Sequence, residues 1–222
     1  MGDRRLGKGR KHRRRERGRR LLLACNGAVT EPEYFKELAT ELGLAGLVVV
    51  DSRDRGKDPR TLVAGAAKRR NRDLAEARAE RFDPFAEVWA VTDTDEFDVE
   101  KAQRLADEEG VRLALSNPCF EVWLVDHVGV CPPSCSSTRI AERAAFDRGV
   151  IAPAGSRRTS EARAKHLAIR DIAEKLPAAL ENAARHNTEE KRLARSNNPG
   201  NVGRYAVWTD VPDVVRSMLD GR

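Results

Sequence analysis

Nowhere does this sequence string together the roughly 18–20 apolar residues that a membrane helix needs. Its longest apolar stretches, Leu21–Cys25 and Leu44–Val50, are the length of strands, so a helical membrane span is excluded. Cysteine is scarce, 4 residues in 222. The arginine-rich start has no apolar segment or cleavage site of a secretory signal. The cysteines are therefore expected as reduced thiols and the protein in the cytoplasm. Cys119, His127, Cys131 and Cys135 give only a weak zinc pattern, because no Cys-x-x-Cys pair occurs and Cys119 sits in apolar surroundings. His12, His166 and His186 fall in charged stretches and are expected at the surface. There is no Gly-x-Ser-x-Gly elbow and no phosphate loop ending in Gly-Lys-Ser/Thr.

What is present is a core's worth of apolar residues, 40%, and an uneven distribution of charge. Residues 1–20 hold eleven Lys or Arg against Asp3 and Glu16, a net +9. The whole chain carries +6, so the remainder sums to −3: a mildly acidic domain with a cationic arm. A block of like charge buries too little surface to offset its ordering entropy, so residues 1–20 are expected to be disordered. Arg13, Arg14, Arg15, Arg19 and Arg20 suit nucleic-acid phosphates, whose neutralisation releases counterions. A merely solubilising tail would look the same.

Past the arm, short apolar runs alternate with helical patterns, which predicts βαβ units and a mostly parallel sheet. Strands are expected at Leu21–Cys25, Leu47–Asp51, Glu87–Thr92 and Val111–Leu115. The first helix opens with Thr30 as cap, Pro32 in its first turn and Glu33 closing a capping box. Arg53–Arg60 is a charged loop, Thr61–Arg81 a long helix, and Asp98 caps a third helix. Asn117 is expected to cap a fourth, with Pro118 at its first position. Beyond residue 129 the expectation is helical: Ser137–Arg148, Ser160–Leu176, Pro177–Arg195 and Val211–Leu219.

Three places could carry chemistry, each directly after a strand. Asp93-Thr94-Asp95 sets two carboxylates where open α/β sheets bind ligands; such crowding suits Mg²⁺ or Mn²⁺, or it is a solvated acidic turn. In the turn Cys25–Glu31, Gly27 permits close backbone approach, Asn26 offers a neutral oxygen ligand, and Glu31 is either a ligand or a first-turn charge on the helix dipole. In Ser116–Trp123, Glu121 stands one turn into an otherwise apolar helix, as a third acidic ligand or as an arginine's partner. Arg53, Arg55 and Lys57 add cations for phosphate. If the first, third and fourth strands share a parallel sheet, Asn26, Asp93 and Glu121 open on one crevice.

Taken together, Leu21–Phe35, Asp93–Phe97 and Ser116–Trp123 resemble the RloB family. Its members share a basic N-terminus, a Cys-Glu-Gly-x-x-Thr-Glu-Pro-x-Tyr-Phe element, an Asp-x-Asp strand end and a Ser-Asn-Pro-x-Phe-Glu-x-Trp helix start. The resemblance is close over about residues 10–128 and looser through Asn198-Pro199 and the last helix. It implies a basic arm (1–20), a Toprim-like α/β core (21–128) and a mainly helical extension packed on it (129–222). It also implies Mg²⁺-dependent phosphodiester or phosphoryl chemistry, with catalytic roles for Asp93, Asp95, Glu31 and Glu121. Metal-holding roles fall to Asp93, Asp95 and Asn26. The family is associated with restriction and abortive-infection loci, often beside an ATPase partner of the AAA or ABC kind. One departure stands out: Asn26 occupies the position of the family's first-strand Glu. The expectation is thus a Mg²⁺-dependent nuclease of phage defence. The alternative is a non-catalytic nucleic-acid-binding or regulatory subunit whose site Asn26 has degraded.

Overall fold

Parallel strands buried on both faces read as unbroken apolar runs, and β1 (Arg20–Cys25) is buried at every position. In this computed structural model, which describes residues 18–94, 99–153 and 165–220, β1 is the second strand of a five-stranded sheet. Chain order continues through α1 (Thr30–Glu41), β2 (Val48–Asp51), α2 (Pro59–Glu80), β3 (Phe85–Asp93), α3 (Val99–Glu109) and β4 (Arg112–Asn117). There follow α4 (Glu121–Asp126), α5 (Thr138–Asp147), β5 (Ile151–Pro153), β6 (Lys165–Leu167), α6 (Ile172–His186) and α7 (Glu189–Asn197). A 3₁₀ turn at Val202–Tyr205, β7 (Trp208–Thr209) and α8 (Val211–Leu219) end the described chain. The α/β architecture matches the alternation in the sequence. Among the described residues no helix is long and apolar enough to cross a membrane.

The sheet order is β2-β1-β3-β4-β7. The first four strands are parallel and β7 is antiparallel to β4. The chain steps from β1 outward to β2, then returns to the other side of β1 for β3 and β4. The order therefore reverses between β1 and β3, and it is outside the C-terminal strand ends at such a switch point that open α/β sheets bind ligands. Strand period sets the two cores. Leu21, Leu23 and Cys25 join Phe35, Leu38, Trp123, Leu176 and Val215 on one face. Leu22 and Ala24 pack with Leu62, Ala66, Ala102 and Leu115, beneath α2 and α3, on the other.

Several local expectations are corrected. Thr30 is the first residue of α1 rather than its cap; Val29 holds that position without a side-chain bond. The Thr30 hydroxyl instead donates to Lys165 O at 2.7 Å. Glu33 closes no capping box, because its carboxylate accepts from Leu167 N and pairs with His166 Nδ1. Asn117 does not cap a helix: β4 runs through it to pair with Trp208, and its amide donates to Val202 O. The expected helix over Ser160–Leu176 gives way to β6, paired antiparallel with β5, and α6 starts only at Ile172. Pro177 lies inside α6, and the expected single helix to Arg195 is divided near Thr188, whose side chain accepts from Lys191 N. His186 is buried against Asp126 Oδ2 at 2.8 Å rather than at the surface. All four cysteines are free and buried. Asp98 lies outside the described residues.

Candidate active site

Because β1 and β3 are parallel neighbours in register (Cys25↔Val91), the residues that follow them emerge side by side. Asn26 N donates to Val91 O at 3.0 Å, extending the ladder by one step. Its side-chain Nδ2 donates to Thr92 Oγ1 at 3.1 Å, and that hydroxyl passes its own proton toward Asp93 O. This relay fixes the amide's orientation. Asn26 Oδ1 is buried and accepts no hydrogen bond among the described residues, a cost that a bound cation would remove. Asp93, at the end of β3, pairs across to Ser116 on β4. Asp95 lies outside the described residues.

The turn after β1 depends on Gly27. Its N–H donates to Glu31 Oε2 at 2.7 Å, and a Cβ at residue 27 would come within 2.7 Å of Glu31 Cδ. Only glycine leaves room for the carboxylate to fold back on the turn. Glu31 is buried. Its pKa is pushed up to about 8, chiefly by burial, with Glu121 acting in the same direction and the Gly27 N–H and Lys165 pulling the other way. Glu31 is therefore neither an exposed dipole charge nor an ordinary carboxylate.

Glu121 is buried at the start of α4 and pairs with Lys165 Nζ at 2.7 Å. Its partner is thus a lysine, not an arginine. Lys165 also reaches Glu142 Oε1 at 2.7 Å. Burial works against the ammonium, but Glu121 and then Glu142 outweigh it and raise its pKa. Burial holds the Cys119 thiol well up, and the charges of Glu121 and Asp93 add to that. Glu31 on the Gly27 N–H and Glu121 on Lys165 are thus the polar groups built around the ends of β1 and β4. Lys165 is the member that sequence reasoning missed, because its segment read as a helix. The only available hint was Glu121 itself, a buried carboxylate requiring a cation.

The loop after β2 opens at the same edge. Gly56 N donates to Asn26 O at 2.9 Å, which ties this loop to the turn after β1. Arg69, from α2, holds the loop through Asp51 and Asp54. Arg53 folds back onto Asp51 at 2.8 Å. Burial raises Asp51, but Arg53 and Arg69 outweigh it and keep it below the usual carboxylate range. Arg55 and Lys57 point into solvent beside Asn26's turn.

The arm's last two residues belong to the fold. Arg20 is buried in β1, forks onto Asp73 at 3.0 and 3.1 Å, donates to Asp83 O, and lies over the Phe85 ring. This leaves it no face for a phosphate. Arg19 pairs with Glu87 and donates to Ser217 O. The assignment of these two to a disordered arm is corrected: Leu21 begins the apolar run, but strand pairing begins one residue earlier. Arg13, Arg14 and Arg15 lie outside the described residues.

The donors at the switch point are hard oxygens, the Asp93 carboxylate and Asn26 Oδ1, which fit Mg²⁺ or Mn²⁺. Among the described residues no three His, Cys, Asp or Glu side chains converge on a metal-sized point, which also removes the Cys119/His127/Cys131/Cys135 zinc pattern. The family model described as RloB-like protein matches residues 21–218. No curated protein matches, and no solved structure does.

Proposed function

The chain belongs to the RloB-like protein family, and from that premise we propose that it is a Mg²⁺-dependent nuclease acting as an effector in bacterial phage defence. One observation supports the reading: the unpartnered Asn26 Oδ1 and the Asp93 strand end lie at the β1–β3 switch point, with the loop that bears Arg55 and Lys57 tied to Asn26 O. Asp93 and Asn26 Oδ1, with Asp95, are the residues that would hold the divalent ion. When bound, that ion supplies Lewis-acid stabilisation of the phosphoryl oxygens and a more acidic water.

The chain's own residues do the rest. Arg55 and Lys57 hold the nucleic-acid backbone at the mouth, helped by Arg13, Arg14 and Arg15 of the arm. Arg53, half engaged with Asp51, orders the loop they stand on. Glu31 stays neutral below about pH 8. The Gly27 N–H occupies Oε2, so the proton rests on Oε1, and Glu31 is the group suited to return a proton to the leaving oxygen. Glu121 keeps Lys165 at the crevice wall. An ATPase encoded alongside is the expected partner.

A non-catalytic binding subunit is the second reading, favoured by Asn26 itself. An amide adds no charge to the cation's shell and cannot act as a general base. The experiment is cleavage of a panel of RNA and DNA substrates with Mg²⁺, Mn²⁺ or a chelator, run with wild type and Asp93→Asn. Metal-dependent cleavage lost in Asp93→Asn supports the nuclease. Binding without cleavage in both supports the subunit.

A further inference from the structure

Strand β7 pairs only with the end of β4, at Ser116 and Asn117. Val111, Arg112 and Leu113, ahead of that pairing, line a cleft of about 710 Å³, which is the size of a small-molecule site. Two of the chain's 3 tryptophans line it as well, and an arginine lies over each. Arg112 Cζ is 4.4 Å from the centroid of the Trp89 ring, and Arg192 Cζ is 5.7 Å from that of Trp208. Hydrogen bonds hold the first stack flat: Glu87 Oε2 accepts from Trp89 Nε1 at 3.0 Å and from Arg112 Nη1 at 2.8 Å. Both indoles are buried, whereas the Arg112 and Arg192 side chains are 55% and 53% exposed. A guanidinium backed by a ring in this way keeps its outer face for a ligand.

The edge of β4 is not left for an added strand. Arg195 Nη2 donates to Leu113 O at 3.3 Å, and Asp210 Oδ2 accepts from Leu115 N at 3.0 Å. Arg195 also forks onto that Asp210 oxygen at 3.0 and 2.8 Å, so a buried ion pair takes the place of a neighbouring strand. What remains is a pocket with flat cationic walls and polar groups around them, Gln103, Asp107 and Ser196 among these. Unpaired nucleobases stack on guanidinium planes and are read by hydrogen bonds along their edges. We propose that the cleft binds the unpaired base of a nucleotide, free or within a single strand. The base stacks on Arg112, whose plane is the more closely held, and Arg192 meets the phosphate. Trp89 and Asp93 are four residues apart on β3, about 13 Å at the rise of a strand. This is therefore a second site, apart from the one read as the metal's, and it holds whether the chain cleaves nucleic acid or only binds it.

The two tryptophans report on the cleft directly. Full-length protein in a chelator, without divalent ions, is titrated while tryptophan emission is followed. The probes are the ribonucleoside 5′-monophosphates, a mixed-sequence single strand of about ten nucleotides, its blunt duplex, and ribose 5-phosphate. A monophosphate or the single strand should quench emission to saturation; the duplex and ribose 5-phosphate should not. Arg112→Lys keeps the charge and loses the plane, and should weaken that binding about fivefold or more. Arg192→Ala should weaken it similarly, and carries the test if the Arg112 variant does not fold. Quenching by monophosphates assigns the site to free nucleotides, and quenching by the strand alone assigns it to nucleic acid. No quenching by either, or equal quenching by ribose 5-phosphate, overturns the proposal. So does strand binding that is unchanged in both variants, which would belong to the basic arm. Since no metal is present, the outcome is independent of the Asp93 reading.

Discussion

Asn26 Nδ2 lies 3.1 Å from Thr92 Oγ1, and this contact leaves the buried amide oxygen as the atom that accepts no hydrogen bond among the described residues. The residue that replaces the family's carboxylate thus presents an oxygen donor, but no charge. Asn26→Glu should restore the charge and tighten Mg²⁺ binding on the order of tenfold, since about 1.4 kcal/mol corresponds to a factor of ten and a unit charge at contact distance contributes at least that in a partly screened site. The measurement is the Mg²⁺-dependent rise in melting temperature of the two proteins. An unchanged rise would place Asn26 outside the metal shell.

Asp93→Asn should leave the melting temperature without metal unchanged within about 1 kcal/mol of stability, because the amide keeps the carboxylate's shape and withdraws only its charge. It should remove the Mg²⁺-dependent rise and lower cleavage at least about a hundredfold. A large loss of stability with no Mg²⁺ effect in wild type would make Asp93 structural.

Removing the arm and altering Arg20, which belongs to β1, should have opposite results. Deleting residues 1–17 should keep the fold and flatten the salt dependence of nucleic-acid binding, since phosphate-neutralising charge is lost. Arg20→Ala should instead cost about 3–5 kcal/mol, because it leaves the buried Asp73 without its partner. Chemical denaturation separates the two, and an Arg20→Ala protein as stable as wild type would refute the buried-pair argument.

A pH dependence follows from His127. Its Nδ1 lies 3.1 Å from the carbonyl Trp123 O, so Nδ1 carries the proton and Nε2 accepts from the Tyr34 hydroxyl at 3.2 Å. Burial lowers this histidine from 6.5 to about 4. A base with a depressed folded pKa contributes stability that is intact above the unfolded value and lost as pH falls through the folded one. Wild type should therefore lose up to about 3 kcal/mol between pH 6.5 and 4 through this residue, at about 1.4 kcal/mol per unit. His127→Gln should lose correspondingly less over the same range. Parallel acid dependence in both proteins would show that His127 does not contribute.

How much of this was legible depends on strand length and on where charge ends. β1, β3 and β4 announce themselves because parallel strands buried on both faces need unbroken apolar runs, and their ends locate Asn26 and Asp93. Lys165-His166-Leu167 is too short to show a period, and its pairing partner Ile151–Pro153 is equally short. The lysine that reaches Glu121 was therefore invisible, although the carboxylate's need for a cation was not. Arg20 was misassigned because charge runs continuously to residue 20 while strand pairing already includes it. The capping pattern at Thr30 and Glu33 misled for a related reason, since tertiary partners from the β6 strand took both side chains.

The two-residue strand β7 has a consequence for the order of synthesis. Asp210 N and its carboxylate seal the outer edge of β4 at Leu115, a residue 95 positions earlier. On the ribosome the cationic arm and the first four strands emerge long before the segment that closes the sheet. Until Trp208–Asp210 arrives, the nascent chain presents an open strand edge, a template for unwanted pairing. Strand β7 thus acts as a stopper for the edge of β4, and a chain released before it emerges would be prone to self-association.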